Sequence, residues 1–453
     1  MKELVAKQRG YFLSGETRTY DFRIEQLKKF KSMIKKYEKD MYRALKADLN
    51  KSRHESFTTE IGILYSEIDF MLKHLKDWMK DEEVPAPLTH KGTKSYITYE
   101  PYGVVLNISP WNYPFQLSLL PAIGAIAAGN TVVIKPSELA IHSSHLLHQM
   151  ISDTFSETFV AVVEGGKETT EQLLEQKFDY IFFTGSTRVG KIIMEKASKH
   201  LTPVTLELGG KSPTIVDRDV NVGLAAKRIV WGKYTNAGQT CIAPDYVYVH
   251  EKVYMKLLKA MKKYIQHFYS KRPLKNEDYA RIINKNHFER LLGLLENVKI
   301  YHGGNYSKET LTIEPTIVTD VTWDDPVMQE EIFGPILPVM SYRDLDEVIA
   351  TIQQHERPLA LYYFGNNKKN EEKLFHSISF GGGCVNDTLY HVAHPHLPFG
   401  GVGASGMGAY HGKFSFETFS HRKSVLRQTT FYDLPVRYPG GKLNEAVAKT
   451  LLK

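Results

Sequence analysis

Residues 180–190, YIFFTGSTRVG, begin as a short β-rich apolar run and then break at glycine and serine. Such a run, closed by small turn-forming residues, reads as a buried strand passing into a helix. Three runs upstream have the same form: GVVLNI (103–108), TVVIKP (131–136) and FVAVVEGG (159–166). Between them lie segments such as SELAIHSSHLLHQMISDTF (137–155), which suit amphipathic helices. Strands alternating with helices predict βαβ units and a parallel sheet covered on both faces. Ligands in such sheets collect at the carboxyl ends of the strands, where these Gly- and Ser-rich loops fall. A second series, PTIVD from 213, YVYVH (246–250), ILPVM (336–340) and LALYYF (359–364), predicts another α/β domain. The expected fold class is therefore α/β with two sheet-based domains.

A chain of 453 residues, 42% apolar and 24% charged, is ordinary for a soluble globular protein of two or three domains. With 58 Lys and Arg against 51 Asp and Glu, the charge gives no reason to invoke nucleic acid. The densest basic run, KKFKSMIKK (28–36), has apolar residues at helical spacing and reads as a solvated helix face. Two cysteines cannot supply a disulfide framework and point to a reducing compartment. MKELVAKQRGYF lacks the apolar core of a signal peptide. The most apolar stretch, 118–134, is broken by Pro121, Gly124, Gly129 and Asn130, short of the roughly 20 residues a membrane span needs. A cytoplasmic protein without an integral membrane anchor is expected.

Toward the amino terminus, Leu27, Phe30, Ile34, Tyr37, Met41 and Leu45 step by three and four, marking one helix or two consecutive ones. A second helical region is expected over about 57–80. KGTKSYITYEPYG (91–103) reads as an extended arm with no evident partner strand nearby.

Chemistry enters with NAGQTCIAPD (236–245). A free cysteine is more often a buried, inert hydrophobe than a nucleophile, and Cys384 in FGGGCVND fits that reading. Cys241 follows Gly238, which permits close backbone approach, and precedes Pro244, which stops a helix. A nucleophilic thiol also needs a base and an oxyanion donor. In PWNYP (110–114) two prolines fix the backbone around Asn112, which is either an oxyanion donor or a turn residue. In LELGG (206–210) Glu207 sits in an apolar run, as either a general base of raised pKa or a capping or ion-paired carboxylate. EEIFGP (330–335) alone is only a loop. His394 and His396 could suggest a metal, but they read better as part of a loop over a site, and no metal is expected.

Taken together, PWNYPF, GNTVVIKPSE, FFTGSTRVG, TLELGGKSP, NAGQTCIAPD, MQEEIFGP and PFGGVGASGMG, in that order along nearly the whole chain, resemble the aldehyde dehydrogenase superfamily. The absence of a longer amino-terminal extension, with GQTCIAPDY and SGMGAYHGKFSFETFSHRKS, resembles its class 3 branch of fatty and aromatic aldehyde dehydrogenases.

The resemblance implies a Rossmann-like NAD-binding domain over 1–82 and 102–206, a catalytic domain over 207–392 and oligomerisation strands at 83–101 and 415–430. It adds a return loop at 393–414 near the active site and a tail at 431–453, and it implies a homodimer. Cys241 would attack the aldehyde, Asn112 would hold the oxyanion, and Glu207 would activate the water that releases a carboxylic acid. Lys135 and Glu138 would bind the adenine ribose, and the turn bearing Gly185, Ser186 and Gly190 would approach the pyrophosphate. Glu331 would hold the nicotinamide ribose, with Trp111 and Phe333 nearby. Tyr113, Trp231, Asn386 and His411 would stand near the aldehyde channel. Glu138 would repel a 2′-phosphate, so NAD is preferred and NADP remains possible. Two alternatives compete: transfer of the acyl group to coenzyme A, and a non-catalytic scaffold. Glu207 argues against the first, and the intact Cys241, Glu207 and Asn112 against the second. In the tail, Leu443, Val447 and Leu451 could form one short apolar stripe.

Overall fold

Tyr180–Thr184 is a fully buried strand of a six-stranded sheet in the computed structural model, which describes residues 1–433, 437–439 and 442–451. Across the sheet the order is Gly406–Met407, Val204–Glu207, Tyr180–Thr184, Val104–Ile108, Thr131–Lys135, Val160–Val162. The last five strands are parallel, and only Gly406–Met407 runs against them. The chain enters at Val104–Ile108, builds outward to Val160–Val162, and returns to the other side at Tyr180–Thr184. That reversal creates a switch point between two central strands, whose carboxyl ends lead into 109–113 and 185–186. The motifs PWN and TGS thus leave the sheet side by side.

The interrupted apolar stretch at 118–134 divides between a helix, Pro114–Ala128, buried on every side, and the start of a central strand. Burial from all directions removes the need for a polar face, which is why the stretch reads so apolar. Among the described residues no helix is long and apolar enough to cross a membrane.

A seven-stranded sheet follows, ordered Lys299–His302, Thr316–Thr319, Ile336–Tyr342, Tyr246–His250, Pro213–Val216, Ala360–Phe364, Gly382–Val385. It is parallel apart from Lys299–His302. Three of its strands gave no sequence signal. Gly382–Val385 is half glycine, and Lys299–His302 and Thr316–Thr319 are only four residues each.

The stripe from Leu27 to Leu45 lies on one helix, Tyr20–Leu49, capped by the Thr19 hydroxyl. In KKFKSMIKK the helix buries Phe30, Met33 and Ile34 and leaves Lys28, Lys29, Lys35 and Lys36 exposed, a solvated face. The next helical region is interrupted: Arg53–Ser56 and Gly62–Trp78 are joined by a π-turn at Phe57–Ile61. The arm Thr93–Pro101 does have partners. It pairs with Glu82–Val84 and, from the far end of the chain, with Ser420–Gln428. The strand expected over 415–430 is shorter than that, because Lys413–Thr418 is helical. In the tail, 434–436, 440–441 and 452–453 lie outside the described residues, as do the side chains of Leu443 and Leu451. Two thirds of the expected stripe therefore falls there.

Candidate active site

Cys241 lies in the loop that joins the helix Val222–Tyr234 to the strand Tyr246–His250. Asn236, Ala237 and Gly238 take left-handed backbone in succession, with φ of 53°, 51° and 76°. A Cβ on Gly238 would stand 2.2 Å from the Gly334 carbonyl oxygen, so the EEIFGP turn packs directly on the cysteine loop. Asp245 closes the arrangement: one carboxylate oxygen accepts the Ile332 N–H at 3.0 Å, the other the Lys211 ammonium at 2.5 Å. Gly238→Ala should cost about 1–2 kcal/mol from left-handed backbone alone, with the clash added. A lowered melting temperature together with lost turnover would check this.

Asn112 is 2% exposed. Its Nδ2 donates to the Gln239 carbonyl at 3.0 Å, while its Oδ1 is buried without a partner. The next residue, Tyr113, shares a 2.5 Å hydrogen bond with Thr240. The PWNYP and GQTC segments are therefore stitched together at consecutive residues. Glu207 ends the strand Val204–Glu207, is 2% exposed, and neither of its carboxylate oxygens has a partner. It is neither a cap nor an ion-pair member. Burial pushes its pKa well above the ordinary carboxyl value.

The Cys241 thiol is half-buried. Burial raises its pKa, and the carboxylates of Glu331 and Glu207 raise it further, against the backbone N–H groups of Cys241 and Ile242. One thiol and two carboxyls from three sequence motifs thus share one electrostatic site. Glu331 is also shifted upward, to about 8, chiefly by burial and by Asp245.

The cysteine also lines an apolar cavity of about 700 Å³. Tyr113, Trp231 and His411 are in its wall, as are Phe399 and Tyr410 from the return segment 393–414. Asn386 is not. Its side chain is turned onto Gly365, accepting that N–H at 3.0 Å and donating to its carbonyl at 2.9 Å. A turn-closing role consumes the amide that the family resemblance would direct toward the substrate.

These elements stand in the order and spacing of a single large family, whose model, described as the aldehyde dehydrogenase family, matches residues 4–425. The chain belongs to the aldehyde dehydrogenase family. It is 50% identical over 433 residues to the 4,4'-diaponeurosporen-aldehyde dehydrogenase of Staphylococcus aureus, covering 95% of this chain and 94% of that protein. It is 48% identical over 426 residues to the dimeric NADP-preferring aldehyde dehydrogenase of Mus musculus, covering 94% of each. A solved structure described as the substrate-bound state of Staphylococcus aureus AldH matches with a TM-score of 0.98 at 48% identity, covering 100% of this chain and 99% of that one. The class 3 resemblance holds, and this aldehyde dehydrogenase is an oxidoreductase that converts aldehydes to carboxylic acids with NAD(P).

The residues at the switch point suit such a dinucleotide. Thr184 Oγ1 is buried without a partner at the end of its strand, and Ser186 caps the helix Thr187–Ser198 by accepting the Val189 N–H. A helix start favours a phosphate group. Gly185 donates its N–H to the Glu207 carbonyl at 2.9 Å, and Gly190 lies against Leu208, so this turn also braces the Glu207 strand. Lys135, 2% exposed, reaches Glu138 at 3.6 Å, with Glu138 on the surface. Trp111 meets Phe333 edge to face at 5.4 Å. Glu331 accepts the Gly210 N–H and packs on Gly209.

Other candidates settle elsewhere. Cys384 Sγ stands 3.4 Å from His391 Nδ1, and that imidazole is held neutral, its pKa pushed down to about 4 by burial. His396 packs edge-on against Phe70 at 5.0 Å, and no group of three metal-binding side chains occurs among the described residues. Sequence reasoning missed Lys51, Glu60, Gln239 and Glu67, all buried around the site, and the half-buried Glu55.

Proposed function

We propose that this aldehyde dehydrogenase works through a covalent intermediate on Cys241. The thiol releases its proton to solvent water, and the thiolate sulfur adds to the aldehyde carbonyl to give a thiohemiacetal alkoxide. The Asn112 amide and the Cys241 N–H receive the resulting oxyanion. A nicotinamide held at the first sheet would supply the acceptor for the hydride that leaves the substrate carbon, and a thioester would remain on the Cys241 sulfur. Glu207 then takes a proton from water, the water oxygen attacks the thioester, and the carboxylic acid departs as the thiol is restored. The observation that carries this reading is Glu207 itself: a buried carboxylate with both oxygens unpaired, close enough to Cys241 to raise the thiol's pKa. Mixing the protein with hexanal or benzaldehyde and NAD tests it. Sustained NADH production without coenzyme A is expected. Production only with coenzyme A would favour the acylating alternative, and none at all the scaffold.

Lys135, Glu138, Ser186, Trp111, Glu331 and Phe333 would hold the dinucleotide along the carboxyl ends of the first sheet. The two sheets support its division into cofactor and catalytic domains, with the three-stranded sheet as the oligomerisation element. The dimeric name of the murine relative supports a homodimer, which light scattering would read as twice the chain mass. Two free cysteines support a cytoplasmic setting. The apolar cavity favours medium- or long-chain aliphatic or aromatic aldehydes.

NAD should be preferred over NADP, because the Glu138 carboxylate repels a 2′-phosphate while accepting ribose hydroxyls. Glu138→Gln should move the ratio of kcat/KM toward NADP by on the order of tenfold, the scale of one charge contact. A wild-type ratio already favouring NADP would overturn the preference.

A further inference from the structure

Lys51, at 1% exposure, is a charged residue buried beside the active site, and the reaction as derived makes no use of its charge. Its ammonium donates to Glu60 Oε1 at 2.6 Å and to the Asn112 carbonyl at 2.8 Å, and stands 4.0 Å from the centre of the Tyr113 ring. The other Glu60 oxygen accepts the N–H groups of Phe115 and Gln116, at 2.9 and 3.3 Å, in the first turn of the helix Pro114–Ala128. The ion pair thus grips the chain at Asn112 itself and at the first helical turn that follows it. Asn236 adds a second donor to the Asn112 carbonyl at 2.9 Å, and its own N–H is held by Glu55 at 2.8 Å. Glu55 and Glu60 are five residues apart, a spacing that the π-turn at Phe57–Ile61, with its i→i+5 bonding, brings toward one side.

A buried ion pair is weak evidence for stability, because desolvation offsets the attraction and apolar replacements often serve as well. Here the hydrogen bonds that complete the pair end on the Asn112 carbonyl and on the helix turn directly after it. We propose that Lys51 is a positioning residue of the reaction: backed by Glu60, it fixes the Asn112 carbonyl and so aims the Asn112 amide at the aldehyde oxygen. The inference rests on Asn112 as the oxyanion donor, and the test separates the two.

A double-mutant cycle reads the coupling, with kcat/KM for hexanal and NAD affinity by fluorescence titration measured for each variant. Asn112→Ala should lower kcat/KM by about 10²–10³-fold, the loss typical of one oxyanion donor. Lys51→Met should lower it by on the order of 10–100-fold, as misplacement of a reacting group does, with NAD affinity unchanged. In the Asn112→Ala background, Lys51→Met should add less than about twofold, since residues acting through one another are not additive. A full repeat of the Lys51 loss in that background overturns the proposal, as does an unchanged kcat/KM in Lys51→Met alone. If Asn112→Ala itself retains full kcat/KM, the oxyanion assignment falls and takes the proposal with it. Should Lys51→Met fail to fold, Lys51→Met with Glu60→Gln removes both charges and is read the same way. If that pair also fails to fold, the role is structural and the proposal is wrong.

Discussion

Cys241→Ala should abolish NADH production from hexanal and benzaldehyde, by at least about 10⁴-fold, as removal of a nucleophile does in other covalent mechanisms. The expectation follows from where the thiol lies. It faces a cavity of about 700 Å³ and is held by a loop with three consecutive left-handed residues, a strained arrangement of the kind that collects at active sites. The variant loses one sulfur atom from a half-buried position, so the fold and NAD affinity should be retained, checked by melting temperature and fluorescence titration. Cys384→Ala is the matched control. That thiol hydrogen-bonds a neutral His391 and is absent from the cavity wall, so its loss should leave turnover near the wild-type rate. Residual turnover in Cys241→Ala would move the nucleophile elsewhere. The thiol's raised pKa adds a pH signature: inactivation by iodoacetamide should quicken steadily as pH rises from 6 to 9, because the thiolate is the reactive form.

The parts of this site that were legible in the sequence are those where backbone chemistry is local. Short apolar runs closed by Gly, Pro or Ser gave the strands, and Pro110, Pro114, Gly238 and Pro244 marked loops with fixed geometry. Asn112, Glu207, Cys241 and Glu331 stand on such loops at strand ends, so their motifs survive as short readable words. What the sequence concealed is non-local. Lys51 meets Asn112 across 61 positions, and its carboxylate partner lies in a π-turn that breaks the 3.6-residue period. The arm Thr93–Pro101 found its long partner more than 300 residues away, beyond any reading of neighbouring strands. Asn386 is the converse. Its motif matched, but the backbone at φ 57° turns the amide back to Gly365, a conformation that residue identity alone does not reveal.

Glu207→Gln should separate the two halves of the reaction. The amide has the shape of the carboxylate but cannot take a proton from water, so steady-state turnover should fall by about 10²–10⁴-fold, the range of general-base catalysis. Oxidation itself should still proceed once, giving a burst of about one NADH per active site before the acyl-enzyme stalls. Hydroxylamine, which attacks a thioester without a base, should restore turnover in the variant. In the wild type, burial holds the Glu207 pKa well above the ordinary value, so hydrolysis should rise with pH along a limb of unit slope, and that limb should vanish in the variant. The same shift fixes the sign of the stability effect. Between the unfolded carboxyl value of about 4.3 and the raised folded value, the unfolded chain releases this proton while the folded chain keeps it. Wild-type stability therefore declines as pH rises through that window, and Glu207→Gln, which carries no such proton, should melt no lower than the wild type at neutral pH. A variant that lost turnover and also melted early would have lost its fold. One that melted normally yet showed no burst would place Glu207 in the first step, as the acceptor of the Cys241 proton on which thiohemiacetal formation depends.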